Sequence, residues 1–134
     1  MNRRLPFVAP KRILMIDDED DIREVAQLGL EAVGGFEVST APSGLQGLEK
    51  AARERPDAIL LDVMMPDMDG PTTFERLQAA DATRGIPVIL LTAKVQAADK
   101  RRFAELGVAA VLSKPFDPLT LADEVRDALG WARA

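Results

Sequence analysis

Three residue types that often carry protein chemistry are absent from this 134-residue chain: cysteine, histidine and tyrosine. Without cysteine, the chain can form neither a disulfide nor a thiolate metal site. Without histidine and tyrosine, it has no imidazole general base, no phosphohistidine and no phenolic nucleophile. Any phosphorylated intermediate must therefore form on a carboxylate, a serine or a threonine.

A long apolar segment and a surplus of basic residues are also missing. No stretch approaches the roughly 18 consecutive apolar residues that a membrane-spanning helix requires. The formal net charge is −5, which argues against direct DNA binding because nucleic-acid binders carry a basic surface. We expect a cytoplasmic protein without membrane attachment.

The length and composition suit one globular domain. The chain is 47% hydrophobic and 29% charged, and a domain of this size buries about two-thirds of its unfolded surface. We predict a domain over residues 12–131, an N-terminal tail over residues 1–11 and a C-terminal tail over residues 132–134. We expect a monomer or a weak dimer.

Four short apolar runs each end in side chains that suit a ligand site. The runs span residues 13–16, 58–61, 88–91 and 108–112, and they lead into Asp17-Asp18, Asp62, Thr92 and Ser113-Lys114, respectively. Continuous apolar runs are typical of strands that are buried on both faces of a parallel sheet. Such sheets gather ligands at the carboxyl ends of their strands, so we expect these side chains to meet in one crevice.

Helix signals alternate with the strand signals. We predict helix caps at Asp20 or Asp21, at Ser43 and at Asp117, with proline at a first helical position at Pro71 and Pro118. The expected inward faces are Ile22, Val25, Ala26, Leu30 and Val33; Leu45, Leu48 and Ala52; Phe74 and Leu77; Phe103 and Leu106; and Leu119, Ala122, Val125 and Leu129. With an alternating edge strand at residues 36–40, the pattern predicts an α/β fold. Its (βα)5 units form a doubly wound five-stranded parallel sheet with helices on both faces.

The acidic residues at the strand ends predict a site for a divalent cation. Asp17, Asp18 and Asp62 would repel one another if all were ionised without a counter-ion. Mg²⁺ prefers such oxygen ligands and keeps positions open for water or phosphate oxygens, and Mn²⁺ could replace it. One carboxylate could then attack phosphorus, with Lys114 as a second positive charge and Thr92 as a hydrogen-bond donor.

Four motifs, in order along the chain, resemble the receiver domain of two-component response regulators. They are Ile-Asp-Asp-Glu at 16–19, Leu-Asp-Val-Met-Met-Pro-Asp-Met-Asp-Gly at 61–70, Leu-Thr-Ala at 91–93 and Ser-Lys-Pro-Phe at 113–116. The resemblance covers residues 12–129. It implies the flavodoxin-like strand order 2-1-3-4-5 and a cis peptide bond between Lys114 and Pro115.

The resemblance also implies roles for the acidic set. Asp62 is then the phosphoacceptor that becomes an aspartyl phosphate. Asp18 is a direct ligand of Mg²⁺, and Asp17 acts on the metal through water. Met64 would bind the metal through its backbone carbonyl, so its side chain need not be polar.

Two more roles and one departure concern the later strands. By resemblance, Thr92 is the switch hydroxyl that moves to meet the phosphoryl group, and Lys114 pairs with that group. Three residues before the lysine, where the family carries an aromatic switch residue, this chain has Val111. We therefore predict that another side chain reports phosphorylation, or that the last strand and its flanking helices shift less.

The function implied by the resemblance is phosphorelay signal transduction. The phosphoryl donor would be the phosphohistidine of a histidine kinase or of a histidine phosphotransfer protein. A downstream protein partner would bind the face formed by helix 4, strand 5 and helix 5, where Lys94 and residues 100–102 form a basic stretch. We expect a stand-alone receiver without an effector domain, which catalyses only its own phosphorylation and slow dephosphorylation.

Three other interpretations are weaker. A phosphohydrolase with Asp62 as nucleophile would want a general acid nearby, and the methionine at position 64 cannot serve. A mononucleotide binder of flavodoxin type needs a hydroxyl-rich or glycine-rich phosphate loop, whereas residues 17–20 are acidic. A degenerate receiver that acts only as a docking module would not need the intact acidic set.

Overall fold

The structure of the protein, a computed structural model, describes residues 9–93 and 97–132. Strands and helices alternate five times along this part of the chain. They are β1 (Arg12–Ile16), α1 (Asp20–Ala32), β2 (Glu37–Ala41), α2 (Gly44–Glu54), β3 (Ala58–Asp62), α3 (Gly70–Ala79), β4 (Val88–Thr92), α4 (Ala97–Ala104), β5 (Ala110–Ser113) and α5 (Leu121–Leu129). The predicted (βα)5 arrangement is confirmed.

The five strands form one parallel sheet in the order β2-β1-β3-β4-β5, as predicted. β3 is therefore the central strand. The register pairs Asp62 at the end of β3 with Leu91 on β4, and Thr92 at the end of β4 with Ser113 on β5. The amide of Lys114 donates to the carbonyl oxygen of Thr92 at 2.9 Å, which continues this register one residue past β5.

Two apolar cores cover the two faces of the sheet. Alternate strand residues, such as Leu61 and Leu90, pack with residues of α2, α3 and α4 in the first core. Their neighbours, such as Leu60 and Leu91, pack with residues of α1 and α5 in the second core. Because both faces are covered, β3 and β4 are buried along their whole length, which explains their continuous apolar sequences.

The start and inward face of α1 differ from the prediction. Glu19 is the N-cap residue and its side chain makes no capping hydrogen bond, whereas Asp20 and Asp21 lie in the first helical turn. Carboxylates are favourable there because the helix dipole places positive charge at its N-terminus. Val25 and Val33, predicted to face inward, are exposed.

The cap of α2 is confirmed, but of its predicted inward face only Leu48 packs against the core. The hydroxyl of Ser43 accepts a hydrogen bond from the amide of Gln46 at 3.2 Å. The buried residues of the helix are Gly44, Gly47 and Ala51, with Leu48 half-buried, whereas Leu45 and Ala52 are exposed. A β-carbon at position 47 would lie 2.4 Å from the Cδ1 atom of Ile16, so this side of the helix sits directly on the sheet.

The last helix starts later than predicted. Its N-cap residue is Thr120, because Asp117 instead caps the preceding turn by accepting a hydrogen bond from the amide of Leu119 at 2.9 Å. Leu119 is consequently exposed rather than inward-facing. The predicted positions of Ala122 and Val125 in the core are confirmed, as are those of Phe74 and Leu77 on α3 and of Phe103 on α4, whereas Leu106 is exposed.

Some predictions fall at or beyond the edges of the described residues. Within residues 9–93 and 97–132, no helix is both long and apolar enough to cross a membrane. Lys94 and most of both predicted tails, residues 1–8 and 133–134, lie outside the described residues.

Candidate functional site

Three carboxylates converge at the carboxyl edge of the sheet. Asp17 and Asp18 follow β1, and Asp62 ends β3, which is the neighbouring strand. One carboxylate oxygen from each residue lies within 4.8 Å of the others. Asp17 is fully buried and Asp62 is 3% exposed, whereas Asp18 is the most accessible of the three.

Lys114 connects the two buried carboxylates. Its Nζ atom lies 2.9 Å from Oδ2 of Asp17 and 3.3 Å from Oδ1 of Asp62, and only 12% of its side chain is exposed. The peptide bond between Lys114 and Pro115 is cis, as the resemblance implied. The two short distances show that the lysine places a positive charge against both carboxylates.

The backbone after β3 is fitted closely around Asp62. A β-carbon at Gly70, the first residue of α3, would lie 2.5 Å from the carbonyl oxygen of Asp62, so only glycine fits there. Asp69 caps α3 by accepting a hydrogen bond from the amide of Thr72 at 2.8 Å. The short turn between strand and helix, in which Asp67 has a φ of 68°, is thereby held against the site.

The electrostatics of the site depend on burial. Burial raises the pKa of Asp62 to about 6, and the negative charge of Asp17 contributes in the same direction. The charge and hydrogen bond of Lys114 and the amide of Met64 act in the opposite direction. Burial alone would lower the pKa of Lys114, but its hydrogen bond to Asp17 and the two carboxylate charges raise that pKa above its ordinary value.

The other two predicted site residues, Thr92 and Met64, follow or end neighbouring strands at the same edge of the sheet. Thr92 is buried at the end of β4, and Met64 is 66% exposed two residues after Asp62. A crevice lined by Met64 and Ala93 opens onto Asp62 and Lys114. The structure thus brings every predicted site residue to one edge of the sheet.

The donor set fits Mg²⁺ rather than a softer metal. It consists of carboxylate oxygens from Asp17, Asp18 and Asp62, and the sequence has neither histidine nor cysteine to offer nitrogen or sulfur. Three oxygen donors leave coordination positions for water or for a phosphoryl oxygen, which is how Mg²⁺ is commonly held. Lys114 compensates part of the negative charge of Asp17 and Asp62.

A comparison with known protein families shows which family the chain belongs to. A family model for the response regulator receiver domain matches residues 13–126. The chain belongs to this family. Its members are receiver domains of two-component signalling, not classical enzymes, and they bind Mg²⁺ at an acidic pocket.

Named relatives place the receiver domain among bacterial response regulators. It is 45% identical over 117 residues to the response regulator PleD of Caulobacter vibrioides. This alignment covers 86% of this chain and 25% of that protein. It is 39% identical over 117 residues to the transcriptional regulatory protein CseB of Streptomyces coelicolor. This alignment covers 87% of this chain and 48% of that protein. The chain thus spans half or less of the length of these relatives.

A solved structure matches over nearly its whole length. The receiver domain superimposes on the chemotaxis protein CheY4 of Vibrio cholerae with a TM-score of 0.82 and 31% sequence identity. The match covers 90% of this chain and 99% of that one.

Three more residues shape the site of this receiver domain: Arg23, which no sequence pattern indicated, and Glu19 and Gly70, which appeared only within motifs. The Nη1 atom of Arg23 donates to the carbonyl oxygen of Asp17 at 2.6 Å, and the carboxylate of Glu19 lies 3.9 Å from Lys114. Gly70 was recognised only as part of a motif. Its position directly after an acidic loop and before a helix was the available signal, whereas the contact made by Arg23 depends on how α1 packs.

Proposed function

We propose that this receiver domain is a phosphorylation-controlled switch in which Asp62 accepts a phosphoryl group from a phosphohistidine. The donor is a histidine kinase or a histidine phosphotransfer protein, and the modified receiver binds a downstream protein with changed affinity. One observation carries the proposal. Asp62 is buried at the end of the central strand, with Lys114 at 3.3 Å and the carboxylates of Asp17 and Asp18 beside it.

In the proposed transfer, a carboxylate oxygen of Asp62 bonds to phosphorus while the phosphorus–nitrogen bond of the donor breaks. The electron pair of the broken bond stays on the imidazole nitrogen, which leaves with the donor. A pKa of about 6 keeps Asp62 largely ionised above pH 7, so an attacking lone pair is available. Lys114, whose Nζ atom lies 3.3 Å from Oδ1 of Asp62, would pair with the negatively charged oxygens of the phosphoryl group as it bonds to Asp62.

We assign Asp18 and Asp62 as direct ligands of Mg²⁺, Asp17 as a ligand through water, and Met64 as a ligand through its carbonyl oxygen. Mn²⁺ would be accepted by the same oxygens. When bound, the cation would neutralise charge on the phosphoryl oxygens. The close approach of the three carboxylates and the absence of softer donors in the sequence support this assignment.

We assign Thr92 as the hydroxyl that moves toward the phosphoryl group, and the face formed by α4, β5 and α5 as the partner surface. Thr92 supports this role because it ends the strand next to Asp62 and adjoins Lys114. Arg101 and Arg102 are exposed on α4 of a chain whose net charge is −5. A protein partner, rather than DNA, suits this charge.

Labelling by a small phosphodonor tests the acceptor. With acetyl phosphate and Mg²⁺, intact-mass measurement should show one added phosphoryl group, and Asp62→Asn should abolish it. Asp67→Asn is the matched control, because this exposed aspartate lies on the adjacent loop and should leave labelling intact. Undiminished labelling of Asp62→Asn would place the acceptor elsewhere and refute the proposal. Asp18→Ala should lose labelling together with the Mg²⁺-dependent rise in melting temperature.

A further inference from the structure

Phe103 lies at the junction between the candidate site and the outer surface of α4. Its ring is 6% exposed and belongs to the first apolar core, against which Val111 also packs. A crevice is lined by both Phe103 and Thr92, and by Val63 and Met64 from the segment that follows Asp62. A displacement of Thr92 therefore changes the space next to this ring.

No other described aromatic residue has this position. Among residues 9–93 and 97–132, Phe36, Phe116 and Trp131 pack with the second core, on the opposite face of the sheet. Phe74 shares the first core, but it lies on α3 and is not part of the lining of the crevice beside Thr92.

A charged side chain lies over the Phe103 ring. The guanidinium of Arg102 lies 5.4 Å from the centre of the Phe103 ring and 3.8 Å from the carboxylate of Asp99. The Arg102 side chain is 71% exposed, and both charged residues line the same crevice. Phe103 thus lines one crevice together with the switch threonine and a surface cation.

We propose that Phe103 is the positioning residue that couples a movement of Thr92 to the surface of α4. Val111 has no aromatic ring and cannot perform this task. The inference rests on the proposed function. As Thr92 moves toward a phosphoryl group on Asp62, it leaves volume on its crevice side. Because packed interiors do not tolerate empty volume, the Phe103 ring follows, and Arg102 moves with the ring on which it stacks.

Two features of the chain support this route. Valine at position 111 is half-buried and has no ring that could enter the space behind Thr92. The aromatic ring at the crevice beside Thr92 is instead supplied by α4, the helix that precedes β5. The consequence at the surface is a changed position of a basic side chain on the proposed partner face.

Fluorine NMR provides the first test. The chain has five phenylalanines, so fluorophenylalanine labelling gives five resonances, which single Phe→Leu variants assign. Adding beryllofluoride, which mimics a phosphoryl group on an aspartate, together with Mg²⁺ should shift the Phe103 resonance. The Phe74 resonance, from the same core but away from the crevice, should shift much less.

Backbone amide shifts of two matched variants provide the second test. In Phe103→Leu, beryllofluoride should still shift the amide of Thr92, but the shift at Arg102 should fall by more than half. In Phe74→Leu, both shifts should persist. Leucine keeps most of the buried apolar volume, so both variants should fold.

The outcomes separate this inference from the proposed function. A Thr92 amide that responds while the Phe103 resonance stays in place would overturn the role of Phe103 and leave the phosphorylation switch standing. An unchanged Arg102 response in Phe103→Leu would do the same. A Thr92 amide that does not respond in the native chain would overturn the switch and this inference together.

Discussion

Asp62 lies in surroundings that disfavour its charged form. Its carboxylate is almost fully buried beside Asp17, and a single lysine partly compensates for both charges. Burial raises the pKa of Asp62 from 3.8 to about 6, so ionisation costs more in the folded chain than in the unfolded one. Perturbed pKa values of this kind cluster at functional sites, where clustered charges lower the stability of the fold.

The raised pKa predicts how stability depends on pH. Between pH 4 and pH 6 the folded chain holds a proton on Asp62 that the unfolded chain has lost, so the free energy of unfolding should fall as pH rises. The whole loss, counted from pH values below 3.8, should be about 3 kcal/mol. Of this loss, about 2 kcal/mol falls between pH 4.5 and pH 7.5, and Asp62→Asn should remove this pH dependence. Urea unfolding in EDTA at pH 4.5 and pH 7.5 measures both.

Asp81→Asn is the control for this measurement, because the Asp81 side chain is 94% exposed and its ion pair with Arg84 lies at the surface. Its unfolding free energy should keep the pH dependence of the native chain. A variant Asp62→Asn with the same pH dependence as the native chain would show that Asp62 is not the titrating group.

At the scale of elements, close backbone approaches decided which side of each helix faces inward. Periodicity alone allowed Val25 and Val33 on the inner side of α1, but both are exposed. The helix instead presents Gly29 to the loop before α5, where a β-carbon would lie 2.4 Å from the carbonyl oxygen of Pro118. A glycine without a side chain leaves no mark in a hydrophobic pattern, so the sequence could not reveal this contact.

Gly29→Ala should therefore destabilise the protein despite the better helix propensity of alanine. The propensity gain is about 1 kcal/mol, but the contact with Pro118 is to backbone that cannot rotate away. Forced overpacking costs about 1–3 kcal/mol, so we expect a net loss of about 1 kcal/mol in urea unfolding.

Gly85→Ala is the companion variant, since a β-carbon there would meet nothing within 4 Å. It should be neutral or slightly stabilising because it restricts the unfolded chain. If Gly29→Ala were as stable as Gly85→Ala, α1 would have room to move away from α5 without loss of packing.

At the scale of the whole molecule, the sheet separates two polar clusters. The candidate site lies at the carboxyl ends of the strands. At the other end, Lys11 lies 5.1 Å from the Trp131 ring, Trp131 lies 5.9 Å from Phe36, and Arg126 lies 4.6 Å from Phe36. These contacts join the segment before β1 to the end of α5.

Trp131, the only tryptophan of the chain, should report unfolding but not the state of the site. Residues 11 and 17 lie at opposite ends of β1, which separates them by roughly 20 Å. We expect tryptophan emission to stay unchanged on adding Mg²⁺ and beryllofluoride and to change cooperatively in urea. A change of tryptophan emission on adding Mg²⁺ and beryllofluoride without urea would show that the conformational response extends through the whole sheet.

The sequence by itself determined the fold class and the membership of the site. Strands buried on both faces must be continuously apolar, so each strand end was visible as an abrupt change to Asp17, Asp62, Thr92 or Lys114. Parallel strands share one carboxyl edge, whereas the strand order came from the resemblance to the receiver domain family. The composition also restricted the donors to oxygen, because histidine and cysteine are absent.

Only the tertiary structure decided the distances, the protonation equilibrium and the helix faces. Lys114 and Asp17 are 97 residues apart in the chain, yet their 2.9 Å contact depends on how β5 registers against β4 and β3. The pKa of Asp62 depends on burial by elements that precede and follow it. The place of Phe103 beside Thr92 depends on how α4 lies against the sheet, which no local pattern in the sequence specifies.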